Sequence, residues 1–106
     1  MLGLECANAL RNLGLDTHVV EFAAGLMNVQ LDEAGSAMLR TQVEDLGLKV
    51  HTSKVTERIV AGDTGGVVLE FAEGEPLAAD VVVFSAGIRP HDALARDAGL
   101  DCGERG

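Results

Sequence analysis

The sequence has no tryptophan and no tyrosine, and only three phenylalanines among 106 residues. Recognition of unpaired bases needs aromatic faces to stack on, so it has little to work with here. Basic residues are scarce as well: eight Lys and Arg stand against seventeen Asp and Glu, for a formal net charge of −9. No basic cluster offsets that balance, and such a surface repels nucleic acid and anionic membranes. An anionic dinucleotide is not excluded. Backbone N–H groups and helix N-termini act over a few ångströms, whereas net charge is screened within about 8 Å at physiological salt.

Cysteine is limited to Cys6 and Cys102, almost a chain apart and in no C-x-x-C pair. A disulfide framework, a zinc site or an iron–sulfur site is therefore unsupported, and reduced thiols in a cytoplasmic protein are expected. The apolar runs fall well short of the ~20 residues of a membrane span. The first residues include Glu5 and lack a basic stretch, so they do not read as a signal peptide.

What is present is small and aliphatic, with valines in runs and 47% hydrophobic residues in all. That suits strands buried on both faces. The length predicts one domain or part of one. Leu2, Cys6, Leu10 and Leu13 share one face of a helix over 2–14 that Gly14 stops. A β-branched strand spans Thr17–Phe22, and a loop covers Ala23–Gln30. A second helix, about 32–46, places Ala34, Met38, Leu39, Val43 and Leu46 on one side, with Asp32 as N-cap and Gly47 as stop. Strands are expected over Leu48–Ser53, Arg58–Ala61 and Val67–Phe71, the last two flanking the turn Gly62–Gly66. Asp80–Ser85, holding Val81-Val82-Val83-Phe84, reads as the most continuous buried strand, and a short helix follows over about 92–98. Strand–helix alternation in the first half predicts a parallel sheet.

Gly3 heads the first helix, and Glu21 ends the next strand 18 positions later. In the dinucleotide fingerprint G-x-G-x-x-G an acid lies about 20 positions on and accepts from the ribose hydroxyls. Gly3 fits the third glycine and Glu21 the acid. The pattern is equally that of a helix-packing glycine and an exposed strand-end glutamate. The first two glycines would lie upstream of Met1, so the chain is expected to begin partway through its own motif.

Three stretches strengthen this reading: Leu2-Gly3-Leu4-Glu5, Ala9–Leu15, and Thr17-His18-Val19-Val20-Glu21-Phe22-Ala23. They resemble the NADH domain of pyridine-nucleotide flavoprotein oxidoreductases. Leu26–Asp32, Val50-His51-Thr52-Ser53-Lys54 and Val83–Pro90 most resemble the large subunit of assimilatory NAD(P)H-dependent nitrite reductases. The resemblance covers essentially the whole chain. It implies an α/β fold: a Rossmann-like three-layer FAD/NAD(P)-binding domain, truncated so that its first, central strand is lacking, with an antiparallel β-meander insertion. Residues 1–106 would be part of the NAD(H)-binding domain.

The resemblance also implies roles. Glu5 would hold the nicotinamide carboxamide, although an acid in a first helical turn is favoured by the helix dipole anyway. Glu21 would take the ribose, and its charge would repel a 2′-phosphate, favouring NADH over NADPH. Gly87, at the Ser85–Pro90 corner, would let backbone approach the cofactor, or serve only as a turn glycine. The family often has Pro and Arg around positions 24 and 25; Ala24 and Gly25 depart from that, which leaves a phosphate contact there unsupported. FAD, siroheme and an iron–sulfur cluster are expected only in the rest of such a protein. No catalytic acid, base or nucleophile is expected in this segment. His18, His51 and His91 lack metal-ligand spacing and read as structural or solvent-facing. Met27 and Met38 read as core, and Glu44 and Asp45 as a solvated face.

Two other readings remain. The chain could be a folded fragment that binds nothing and either closes its sheet directly or pairs with a second copy. Alternatively, a Rossmann-like domain could bind another adenosine ligand, which would keep Glu21 but leave the Ser85–Pro90 match unexplained.

Overall fold

The computed structural model describes residues 1–103. The chain runs α1 (Leu2–Asn12), β1 (His18–Val20), α2 (Glu33–Asp45), β2 (Lys49–His51), β3 (Thr56–Ala61), β4 (Val67–Phe71), β5 (Leu77–Ala79) and α3 (Ala93–Asp97). The expected α/β class, with parallel and antiparallel sheets, is what forms. β1 and β2 pair in parallel across α2, with His18 opposite Lys49, Val19 opposite Val50 and Val20 opposite His51. β3, β4 and β5 form a separate antiparallel sheet in that order.

The helix boundaries follow the local signals. Asp32 caps α2, its Oδ1 accepting from the Gly35 N–H at 2.8 Å. Gly14 and Gly47 follow the two long helices with φ of +81° and +93°, a left-handed turn that a side chain would strain.

The buried faces match the expected ones only in part: on α2, Leu39 and Val43 lie inward as expected, and the rest differ. Ala7, Leu26, Val43, Leu48 and Val50 form the core, with Leu4, Val19 and Leu39 packed against it. On α1 it is Leu4 and Ala7 that point inward; Leu2 and Leu13 are largely exposed. On α2, Ser36, Leu39 and Val43 form the inner stripe, while Met38 is 72% exposed, Leu46 half exposed and Ala34 on the outside. Met38 is thus not core, and Met27 is only half-buried. The reason is close approach. A Cβ on Gly25 would run into the Ser36 hydroxyl, so the loop after β1 lies directly on α2, and only small residues fit under it. Ranking residues by side-chain size alone selects the wrong stripe.

Residues 80–85 do not form the expected strand. β5 ends before them, and Val81, Val83 and Phe84 are exposed, Phe84 at 78%. An apolar run becomes a strand only when neighbouring backbone satisfies its N–H and C=O groups. β1 pairs only with β2 among the described residues, and its other edge does not close onto residues 80–85. The direct sheet closure expected of a free fragment is therefore absent. The radius of gyration, 16.9 Å, exceeds the roughly 13 Å of a compact domain of this length. No side chain of large volume is fully buried among the described residues.

Candidate functional site

α1 packs on β1, the strand that follows it, and the short link between them makes the two run in opposite directions. The N-terminus of α1 and the carboxyl end of β1 therefore share one end of the fold. Gly3 and Glu5 occupy the first turn of α1, where Met1 provides no side-chain cap. The first backbone N–H groups of a helix have no intrahelical acceptor and attract an anion or a carboxylate.

At the same end, Glu21 leaves β1 in a backbone web. Its N–H donates to the His51 carbonyl at 2.8 Å, and its own carbonyl accepts from the Lys54 N–H at 3.1 Å. One step on, the Ser53 N–H donates to the Ala23 carbonyl at 2.8 Å. Ser53 holds φ at +54° to do so, a left-handed conformation rare outside glycine. The Glu21 side chain is half-buried, and its Oε1 accepts from the Ala23 N–H at 2.9 Å. Oε2 has no hydrogen-bond partner among the described residues. The carboxylate is fixed by one oxygen and presents the other.

Gly3 stands against the other candidate segment. A Cβ on Gly3 would lie 3.2 Å from Ser85 Cβ and 3.4 Å from Ser85 Oγ. The glycine therefore accommodates the 81–85 segment rather than β1. Gly87, two residues on, has φ of +86° and no heavy atom within 4 Å of where a Cβ would sit. The corner Gly87-Ile88-Arg89-Pro90 is exposed, with Ile88 at 96%. The structure thus brings Gly3 against Ser85, two residues before Gly87. No hydrogen bond among the described residues links the Glu21 carboxylate to them. Glu5 is exposed.

Three features were not read from the sequence. One is Ser85 as the neighbour of Gly3; another is the strained Ser53, for which a non-glycine after a strand gives no signal. The third is a contact between His18 Nδ1 and His51 Nε2 at 2.9 Å. Parallel pairing of the two strands that carry these histidines was expected, so their shared face could have been inferred once a register was chosen. Among the described residues no three His, Cys, Asp or Glu side chains converge on a metal position, Cys6 and Cys102 are free, and no helix is long and apolar enough to cross a membrane.

Comparison with known proteins places the chain in a family. Residues 1–106 match the pyridine nucleotide-disulphide oxidoreductase family. The chain is 61% identical, over its whole length, to the nitrite reductase [NAD(P)H] large subunit of Klebsiella oxytoca, covering 11% of that protein. It is 51% identical to the nitrite reductase (NADH) large subunit of Escherichia coli K12, again over all of this chain and 13% of the relative. A FAD-dependent pyridine nucleotide-disulphide oxidoreductase from Desulfovibrio vulgaris superposes with a TM-score of 0.84 at 38% identity, over 99% of this chain and 26% of that one. The chain spans about a tenth of the length of these curated relatives. The family match runs along the full 106 residues, and the chain belongs to the pyridine nucleotide-disulphide oxidoreductase family.

Proposed function

We propose that this chain is the NADH-binding part of a flavoprotein reductase of the nitrite reductase large-subunit type. The observation that carries the reading is Glu21. It sits at the carboxyl end of a parallel strand, where doubly wound sheets take ligands, with one oxygen anchored and one unengaged. Two adjacent ribose hydroxyls need such an acceptor, and a carboxylate at that position opposes a 2′-phosphate. The identity to nitrite reductase large subunits supports the assignment.

The other residues take supporting parts. The N-terminal turn of α1 offers N–H groups to the pyrophosphate, and Gly3 keeps that turn free of side chain. Open space at Gly87 fits close approach of a flat ring to backbone. Glu5, exposed on the same turn, would accept from a carboxamide. When bound, the nicotinamide supplies a hydride from its C4 to the flavin, leaving NAD⁺, and the electrons pass on to a metal centre. The chain's residues bind and orient; none moves a proton. FAD, siroheme and an iron–sulfur cluster belong to the remaining length of such a protein.

Titration of the 106-residue chain with NADH, followed by cofactor fluorescence, tests this. Glu21→Ala is expected to weaken binding by on the order of tenfold to a hundredfold, the worth of charge-assisted hydrogen bonds. NADPH is expected to bind more weakly than NADH. Equal affinity of wild type and Glu21→Ala would refute the assignment.

A second reading has its own observation. Exposed Val81, Val83 and Phe84, in a segment that pairs with no strand among the described residues, fit a chain that binds no cofactor and self-associates.

A further inference from the structure

His18 and His51 lie on adjacent parallel strands, on the same face of the sheet, with Nδ1 of the first 2.9 Å from Nε2 of the second. Their rings are nearly parallel, 5° apart, with centroids 5.1 Å from each other. Such a contact needs one N–H and one lone pair. Asp16 decides which is which. Its Oδ2 lies 3.8 Å from Nε2 of His18, favouring a proton there and leaving Nδ1 as acceptor. His51 Nε2–H then donates.

The pair tolerates one added proton but not two. An imidazolium His18 can donate from Nδ1 to a neutral His51. With both rings charged, two N–H groups would face each other at contact distance. Asp16 lies beside His18, not beside His51. Around His51, burial comes first and then the charges of His18, Lys54, Arg40 and Lys49, and together they hold its pKa below the ordinary 6.5. Two carboxylates moderate this cationic ring: Asp16, paired with Lys49 at 2.7 Å, and Glu44, paired with Arg40 at 2.9 Å. The backbone carbonyl of His51 is the acceptor for the Glu21 N–H.

We propose that His18 and His51 form a one-proton clamp that positions Glu21, so that dinucleotide affinity falls when a second proton enters the pair. The effect on affinity rests on Glu21 being the ribose acceptor; the clamp itself does not. Both histidines are positioning residues that touch no substrate.

Two measurements test it on the 106-residue chain. In the first, imidazole ¹⁵N shifts are followed by NMR from about pH 7.5 to about pH 5, the range in which histidine titrates. Two separated protonation steps of the pair are expected, with the Glu21 and Ala23 amides moving in the second. Simultaneous titration of both rings at the ordinary value, or amides that ignore the second step, would overturn the clamp. In the second, NADH titrations compare wild type with His51→Gln, whose amide can donate to His18 but cannot become charged, and with His51→Ala. Wild type is expected to lose about threefold to tenfold in affinity over that range, within the tenfold per pH unit that one proton allows. His51→Gln should match wild type at neutral pH and lose the acid response; His51→Ala should be weaker throughout. A His51→Gln variant that keeps the wild-type acid response sinks the proposal. Absence of NADH binding at every pH, with the NMR steps intact, removes the role of Glu21 and leaves the clamp standing.

Discussion

Gly3 and Ser85 meet so closely that a single added methyl on the glycine would reach Ser85 at 3.2 Å. Gly3→Ala therefore has two opposed effects. Alanine is the better helix former by up to about 1 kcal/mol, while Ser85 lies in an exposed segment that can yield. Thermal stability should change by no more than about 1 kcal/mol in either direction. The Ser85 and Gly87 amide shifts should nevertheless move. If those amides are unchanged, the contact does not set the corner.

The cap on α2 is an independent test of local stability. Asp32→Ala removes the acceptor for the Gly35 N–H and should cost about 1 kcal/mol in urea denaturation. Asp32→Asn, which keeps an acceptor oxygen, should recover most of it. Similar losses in both variants would mean the carboxylate charge, not the cap bond, matters.

Acid sensitivity should divide between two sites by pH window, both losing stability on acidification. Asp16 is held below its ordinary 3.8 chiefly by the hydrogen bond from Lys49. A depressed carboxylate contributes stability above its unfolded pKa and loses it as pH falls through the lowered folded value. Lys49→Ala should raise the Asp16 titration toward 3.8, read by carboxyl ¹³C shifts. The pair is exposed, so salt screens it, and the melting temperature at neutral pH should barely move. His51 is also depressed, so its contribution is lost over a higher range, as pH falls below 6.5. Melting curves should show an early loss that His51→Gln abolishes and a late one that Lys49→Ala alters.

Self-association is expected to run through the unpaired apolar run. Val81→Thr with Phe84→Ser should reduce the association of the chain measured by analytical ultracentrifugation. Exposed Met38 offers a control, since Met38→Gln removes apolar surface away from that segment. Equal effects of both changes would point to general stickiness and count against strand pairing.

The sequence by itself determined the helices, the parallel β1–α2–β2 unit and the hairpin around Gly62–Gly66. Each is written in short-range chemistry: a carboxylate cap at Asp32, glycines at Gly14 and Gly47, and β-branched runs between them. Spacing singled out only Gly3 and Glu21, a pattern that a helix-packing glycine and a strand-end acid share, while Glu5 and Gly87 were singled out by resemblance to the family. Tertiary structure alone decided which helix faces turned inward. Close backbone approach at Gly25 and Ser36 outranked the larger Met38, and side-chain size does not encode that distance. It also decided the fate of Val81–Phe84, whose strand propensity is plain but whose pairing depends on a neighbour that local sequence cannot supply. The His18–His51 contact belongs to the same class. Thirty-three positions separate the two rings, and only the register between β1 and β2 brings their nitrogens together.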